Sequence, residues 1–126
     1  MLQLPYSTAS TFTQRHPADI APGSVVRAEE YMRAHLSNQI TISELLTICG
    51  CSRTALYSCF EKTRGYTPME FLSEQRLQKA RRDIIKASPE ATIASIAFNC
   101  GFSHLGRFSQ LYRKRFGELP SATRSS

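Results

Sequence analysis

Apolar side chains recur at helical spacing in blocks along this chain, and each block is bounded by residues that start or stop helices. The pattern is sharpest from Thr92 to Pro120, TIASIAFNCGFSHLGRFSQLYRKRFGELP. Two short amphipathic segments lie there, Thr92 to Asn99 and His104 to Phe116, with Gly101 between them. Thr92 is an N-cap candidate, and Gly101 can take the left-handed conformation that ends a helix. Ser103 is expected to cap the second segment. Two helices joined by three or four residues that include a glycine predict a helix-turn-helix. At about 100° per residue, Leu105, Phe108, Leu111, Tyr112 and Phe116 share one face of the second helix. Gly106, Arg107, Gln110, Arg113 and Lys114 share the other, which is basic.

A basic helix face alone is usually just solvated, but here the whole unit occurs twice. Thr41 to Ser52, TISELLTICGCS, aligns without gaps on Thr92 to Ser103, TIASIAFNCGFS, at an offset of 51. With one extra residue in the second copy the match continues, placing Leu56 on Phe108, Phe60 on Tyr112, Lys62 on Lys114, Gly65 on Gly117 and Pro68 on Pro120.

The remaining segments fit around this duplication. Residues 1–22 hold Ser, Thr and three Pro without periodicity and read as a linker or tail. Gly23 to Leu36 carries a loose stripe of Val25, Val26, Ala28, Tyr31, Met32 and Leu36, a first helix packing on the repeat that follows. Thr41 and Glu44 form a capping box for the second helix, which ends at Gly50, and Ser52 caps a third that runs to about Arg64. Thr67, Pro68 and Glu70 start a fourth, unbroken until Ser88-Pro89, with Phe71, Leu72, Leu77, Ala80, Ile84 and Ile85 as its stripe. The expected division is therefore 23–66 and 88–126 as two helix-turn-helix subdomains, joined by a connecting helix over 67–87. Nineteen residues at about 1.5 Å each give a rod of about 28 Å. One turn of duplex DNA is about 34 Å, so the spacing permits two helices in successive major grooves.

Charge narrows the class of partner. The chain of 126 residues carries a net +6. Residues 1–40 sum to zero, whereas residues 41–126 hold thirteen Lys or Arg against seven acids. The excess lies in the duplicated part and favours an anionic partner. No run approaches the 18 or so apolar residues of a membrane span, and MLQLPYSTAS lacks the form of a secretory signal, so a cytoplasmic location is expected. Cys49-Gly-Cys51 is not a zinc-knuckle spacing, and Cys49 and Cys100 occupy equivalent places before a helix-ending glycine. All four cysteines, with Cys51 and Cys59, therefore read as small packing residues in a reducing compartment, with no metal and no cofactor. No carboxylate pair, Cys/His dyad or phosphate loop lies at catalytic spacing, and His16, His35 and His104 are scattered, so no catalytic residue is assigned. A helical protein-interaction module is the alternative that composition alone allows.

From Val25 to Arg124 the chain resembles the DNA-binding region of the AraC/XylS family of bacterial transcription regulators. The resemblance rests on Ile96-Ala97, Gly101-Phe102, Phe108, Tyr112, Phe116-Gly117 and Pro120, with Arg76-Leu77 and Ala80-Arg81 in the connecting helix. It implies an all-α, seven-helix fold with two helix-turn-helix units that binds double-stranded promoter DNA. RNA polymerase is a further partner it suggests. The wording GFSHLGRFSQLYRKRFGE is similar to members with a separate effector-sensing or dimerising N-terminal domain. On that basis the chain is expected to be the DNA-binding part of a longer protein, monomeric by itself and dimeric through the missing domain. It departs from the family at Gly106, Leu119 and Thr123, where a polar residue, Ser and an aromatic are common.

Family contact positions fall on Thr54, Tyr57 and Ser58 in the third helix and on Gly106, Arg107 and Gln110 in the sixth. These are the expected base readers, since Gln presents a fork suited to adenine and Arg one suited to guanine. Ser52, Arg53, Lys62, Ser103, His104, Arg113 and Lys114 are the expected phosphate contacts. Thr54 and Ser58 are short and Glu61 is a nearby acid, so the first unit is expected to read less strongly than the second.

Overall fold

The computed structural model describes residues 22–125, which form seven helices and no strand. They are α1 Pro22–Ala34, α2 Ile42–Cys49, α3 Arg53–Arg64, α4 Pro68–Lys86, α5 Ile93–Asn99, α6 Leu105–Phe116 and α7 Pro120–Ser125. The all-α, seven-helix expectation holds. The expected tail lies outside the described residues except Pro22, which opens α1. None of these helices is long and apolar enough to cross a membrane.

The boundaries follow from local chemistry repeated in the two copies. The Thr41 and Thr92 side chains each accept a hydrogen bond from the backbone N–H of the third helical residue, Glu44 or Ser95, whose side-chain oxygen in turn accepts from the threonine N–H. Gly50 (φ 64) ends α2, and Gly65 (φ 81) and Gly117 (φ 80) end α3 and α6. After α5 the helix closes through Cys100, and Gly101 (φ 98) carries the left-handed turn. Gly101 N–H reaches Phe98 O and Phe102 N–H reaches Ala97 O, the paired bonds of a Schellman ending.

The copies differ at the start of their second helices. Ser52 stands immediately before α3 and accepts from Ala55 N–H at 3.1 Å. Ser103 does not cap α6, contrary to expectation: the N-cap is His104, which makes no side-chain capping bond. The extra residue of the second copy falls here and moves Ser103 one place upstream of the cap.

The described residues divide into two compact units, one of residues 22–29 with Thr41–Pro68, the other of Glu30–Ile40 with residues 69–125. In the first, Val25, Ala28, Leu45, Ala55, Leu56, Cys59 and Phe60 are buried. In the second, Leu77, Ala80 and Ile84 of α4 pack with Ile96, Ala97 and Cys100 of the α5 end and with Phe108 and Tyr112 of α6. Phe102, Phe108, Tyr112 and Phe116 form a run of tilted ring pairs with centroids 4.7–5.6 Å apart. Each such pair contributes roughly 0.5–1.5 kcal/mol beyond its buried area.

Three residues leave their predicted stripes. Val26 is 42%, Ile85 61% and Leu105 39% exposed. Ile84 takes the core position, so a step of about 100° turns Ile85 outward. Leu105 lies on the apolar side of α6 by rotation, but in its first turn, a turn ahead of the buried Phe108.

Candidate nucleic-acid interface

The polar face of α6 is exposed along its length. Gly106, Arg107, Gln110, Arg113 and Lys114 are all exposed while Phe108 and Tyr112 beneath them are fully buried. The cations in this helix have separate fates. Arg115 forms a bidentate pair with Glu74 at 2.8 and 2.9 Å and lies over the Phe116 ring, with 5.0 Å to the centroid. The same guanidinium holds the Glu74 carboxyl below the usual carboxylate range. Arg107, Arg113 and Lys114 pair with no carboxylate among the described residues. Three cations therefore stand on the face away from the core, with no carboxylate of the described residues to neutralise them.

On α3 the predicted residues are placed less uniformly. Thr54, Arg53 and Lys62 are exposed, whereas Tyr57 and Ser58 are half-buried. Arg53 lies over the Tyr57 ring with 5.6 Å to the centroid, which joins a predicted phosphate contact to a predicted reader. Glu61 is exposed in this helix. By the repeat its counterpart in α6 is Arg113, so α3 presents an acid where α6 presents a cation.

The start of α6 is held by residues that the sequence pattern does not single out. Ser103 and His104 are exposed, and the Ser103 hydroxyl accepts from Gln39 Nε2 at 2.9 Å. Ser37 donates to Asn99 O. Arg76 donates to Leu36 O at 3.0 Å and to Asn38 O at 2.6 Å, and its burial pushes the guanidinium pKa down. The segment 36–39 thus runs over the turn between α5 and α6. A side chain at position 101 would put its Cβ 2.1 Å from Leu36 O and 2.5 Å from Arg76 Nε. Gly101 is required for space as well as for its φ. Only the Arg76-Leu77 wording of the family hints at this arrangement; the partners of Arg76, at positions 36 and 38, carry no local signal.

At the other end of α6, Tyr112 Oη donates to Thr123 Oγ1 at 2.7 Å and Thr123 in turn donates to Glu118. Thr123, a departure from the family pattern, is buried and satisfies the hydroxyl of a fully buried tyrosine. Arg124 reaches back to Ser88 O and Pro89 O, both at 3.0 Å. Among the described residues no group of three or more His, Cys, Asp or Glu is placed to hold a metal ion.

The helix-turn-helix domain family matches residues 45–126, from within α2 to the end of the chain. The XylDLEGF operon transcriptional activator 2 of Pseudomonas putida is 36% identical over 102 residues, which cover 79% of this chain. The chain belongs to the AraC/XylS family. A probable thc operon regulatory protein of Rhodococcus erythropolis is 37% identical over 106 residues, 83% of this chain. A probable AraC family transcriptional regulator from Rhodopseudomonas palustris, solved by crystallography, is 38% identical with a TM-score of 0.76, over 82% of this chain and 95% of that one. The chain spans 32% of the Rhodococcus relative and 64% of the Pseudomonas one. AraC/XylS proteins are DNA-binding transcription regulators, and the two helix-turn-helix units described above are the part of the family present here.

Proposed function

We propose that α3 and α6 enter successive major grooves of promoter DNA, with Thr54, Tyr57 and Ser58 on the first and Gly106, Arg107 and Gln110 on the second meeting base edges. Ser52, Arg53, Lys62, Ser103, His104, Arg113 and Lys114 meet phosphates. The observation that supports this best is the exposed face of α6, where Arg107, Arg113 and Lys114 lack carboxylate partners among the described residues while Arg115 beside them is neutralised by Glu74. Unpaired cations on one helix face suit a polyanion, and Gln110 in their midst has the fork that an adenine edge needs. The start of α6 without a side-chain cap leaves N–H groups that a phosphate can satisfy, with His104 and Ser103 beside them. In the whole protein an effector-responsive, dimerising N-terminal domain and contact with RNA polymerase go with this reading, as does a cytoplasmic location.

Positioning and reading separate within α6. Gln110→Ala should cost about 1–3 kcal/mol on the preferred site and relax preference at one base pair, whereas Lys114→Ala should weaken all duplexes alike and lower the salt slope by about one. Binding of both variants to the preferred site and its single-base variants, over a salt series, checks this. An even loss from Gln110→Ala over every sequence would remove it from the readers.

A further inference from the structure

We propose that Glu29 of α1 is a positioning residue for the recognition helix α3, acting through Arg64 and Tyr66; the inference rests on the base-reading role given to α3 above. Glu29 is a buried carboxylate, 3% exposed, on an otherwise apolar side of α1. It receives Arg64 Nη2 at 2.9 Å on Oε1, and Arg64 Nε at 3.1 Å and Tyr66 Oη at 2.9 Å on Oε2. Arg64 is the last residue of α3, Gly65 ends the helix, and Tyr66 follows. Both sides of the α3 terminus are therefore tied to one acid.

A bidentate fork fixes direction as well as distance. Arg64 lies seven residues beyond Tyr57, so the two are within about 20° on the helix surface, about two turns apart. The pin and the reader thus share one side of a short rod, and a tilt at one end is carried to the other.

The duplication shows that this position needs an anchor. Arg64 corresponds to Phe116 in the second copy, which is half-buried against the core and 4.7 Å from the Tyr112 ring. The second helix is held there by an apolar ring, the first by a charged fork. The pair is buried only on its Glu29 side, the Arg64 side chain being 35% exposed, and an ion pair with a buried member contributes little net stability against apolar replacements of similar volume. What the fork supplies, and a greasy contact does not, is a fixed orientation of α3.

The test compares the chain with Glu29→Gln and with the double variant Glu29→Leu, Arg64→Leu, which leaves no buried charge. Base-by-base preference is measured on the selected duplex, and the base pairs that lose preference in Tyr57→Ala and in Gln110→Ala define the parts read by α3 and α6. Both variants are expected to stay folded and to bind about 5- to 20-fold more weakly. Their preference should flatten over the α3 part and remain intact over the α6 part, a pattern that general destabilisation does not produce. Glu29→Gln supplies the same readout should the double variant fail to fold. A wild-type profile in Glu29→Gln, or an even loss over the whole site, overturns the proposal. If Tyr57→Ala and Gln110→Ala change no base preference at all, the base-reading function itself falls, and this role with it.

Discussion

Cys100 shows how one side chain sets a pH limit on the fold. It is fully buried at the end of α5, and its thiol donates to Asp83 Oδ2 at 3.5 Å. Burial pushes its pKa up from 9.0 to about 11, with Lys79 opposing the rise and Asp83 adding to it. The folded chain keeps this proton between pH 9 and 11 while the unfolded chain loses it, so stability is complete below pH 9 and falls as pH rises towards 11. Cys51, in the turn before α3, is also raised by burial to about 11 and acts in the same direction. A tenfold change in proton affinity is worth about 1.4 kcal/mol, so the Cys100 contribution is of the order of 2 kcal/mol. Denaturant midpoints between pH 8 and 11 should fall less steeply in Cys100→Ala than in the parent chain. An equal fall would show that the thiol is not what titrates.

Among the helices, the glycines at the ends of the two repeats separate conformation from space. Gly50 and Gly101 are equivalent, and both have positive φ. A Cβ at Gly50 meets nothing within 4 Å, whereas at Gly101 it meets Leu36 O and Arg76. Gly50→Ala should therefore cost only the left-handed backbone penalty, about 1–2 kcal/mol. Gly101→Ala should cost clearly more, about 3–5 kcal/mol, since a backbone carbonyl must also move. Urea unfolding of the two variants checks the difference; equal midpoints would mean that the segment over the turn yields freely. A proline at Gln78 is equally informative about α4. Leu77 and Ala80 on either side of it are core residues, so Gln78→Pro should lose about 3 kcal/mol or more and undo the second unit. A variant that kept its helical circular dichroism and melting temperature would show α4 to be an independent spacer.

The same elements show what can be read from the residues. Caps, glycines and apolar periodicity are local signals, and Thr41, Thr92, Ser52 and Gly65 stand where they point. Ser103 misleads because the extra residue after it shifts the start of the helix rather than lengthening it. Its hydroxyl is bound instead by Gln39, more than sixty residues earlier, and a contact that distant leaves no local trace. Leu105 follows the stripe and is exposed because periodicity gives a direction, not the extent of the core, whereas Ile85 is turned out because its neighbour Ile84 takes the core position. The Glu29 fork is invisible for the opposite reason: each of its members is an ordinary polar residue until α1 and α3 meet.

For the whole molecule, the two units in one polypeptide make stoichiometry and salt dependence a joint prediction. Of the proposed phosphate contacts, four carry full positive charge, Arg53 and Lys62 on α3 and Arg113 and Lys114 on α6. Each contributes about 0.9 to the slope of log affinity against log salt on duplex DNA, so one chain with both helices engaged gives a slope of about −3.6. A single engaged helix would give about half of that, and a dimer about twice. Free of DNA, the chain should sediment as a monomer, because an asymmetric site of about two helical turns can be filled without a second copy. The double variant Arg113→Ala, Lys114→Ala should then reduce the slope by about two and leave the order of base preference unchanged. A tight dimer without DNA, or a slope that the double variant does not alter, would mean that the anionic partner is met by a different surface from the faces of α3 and α6.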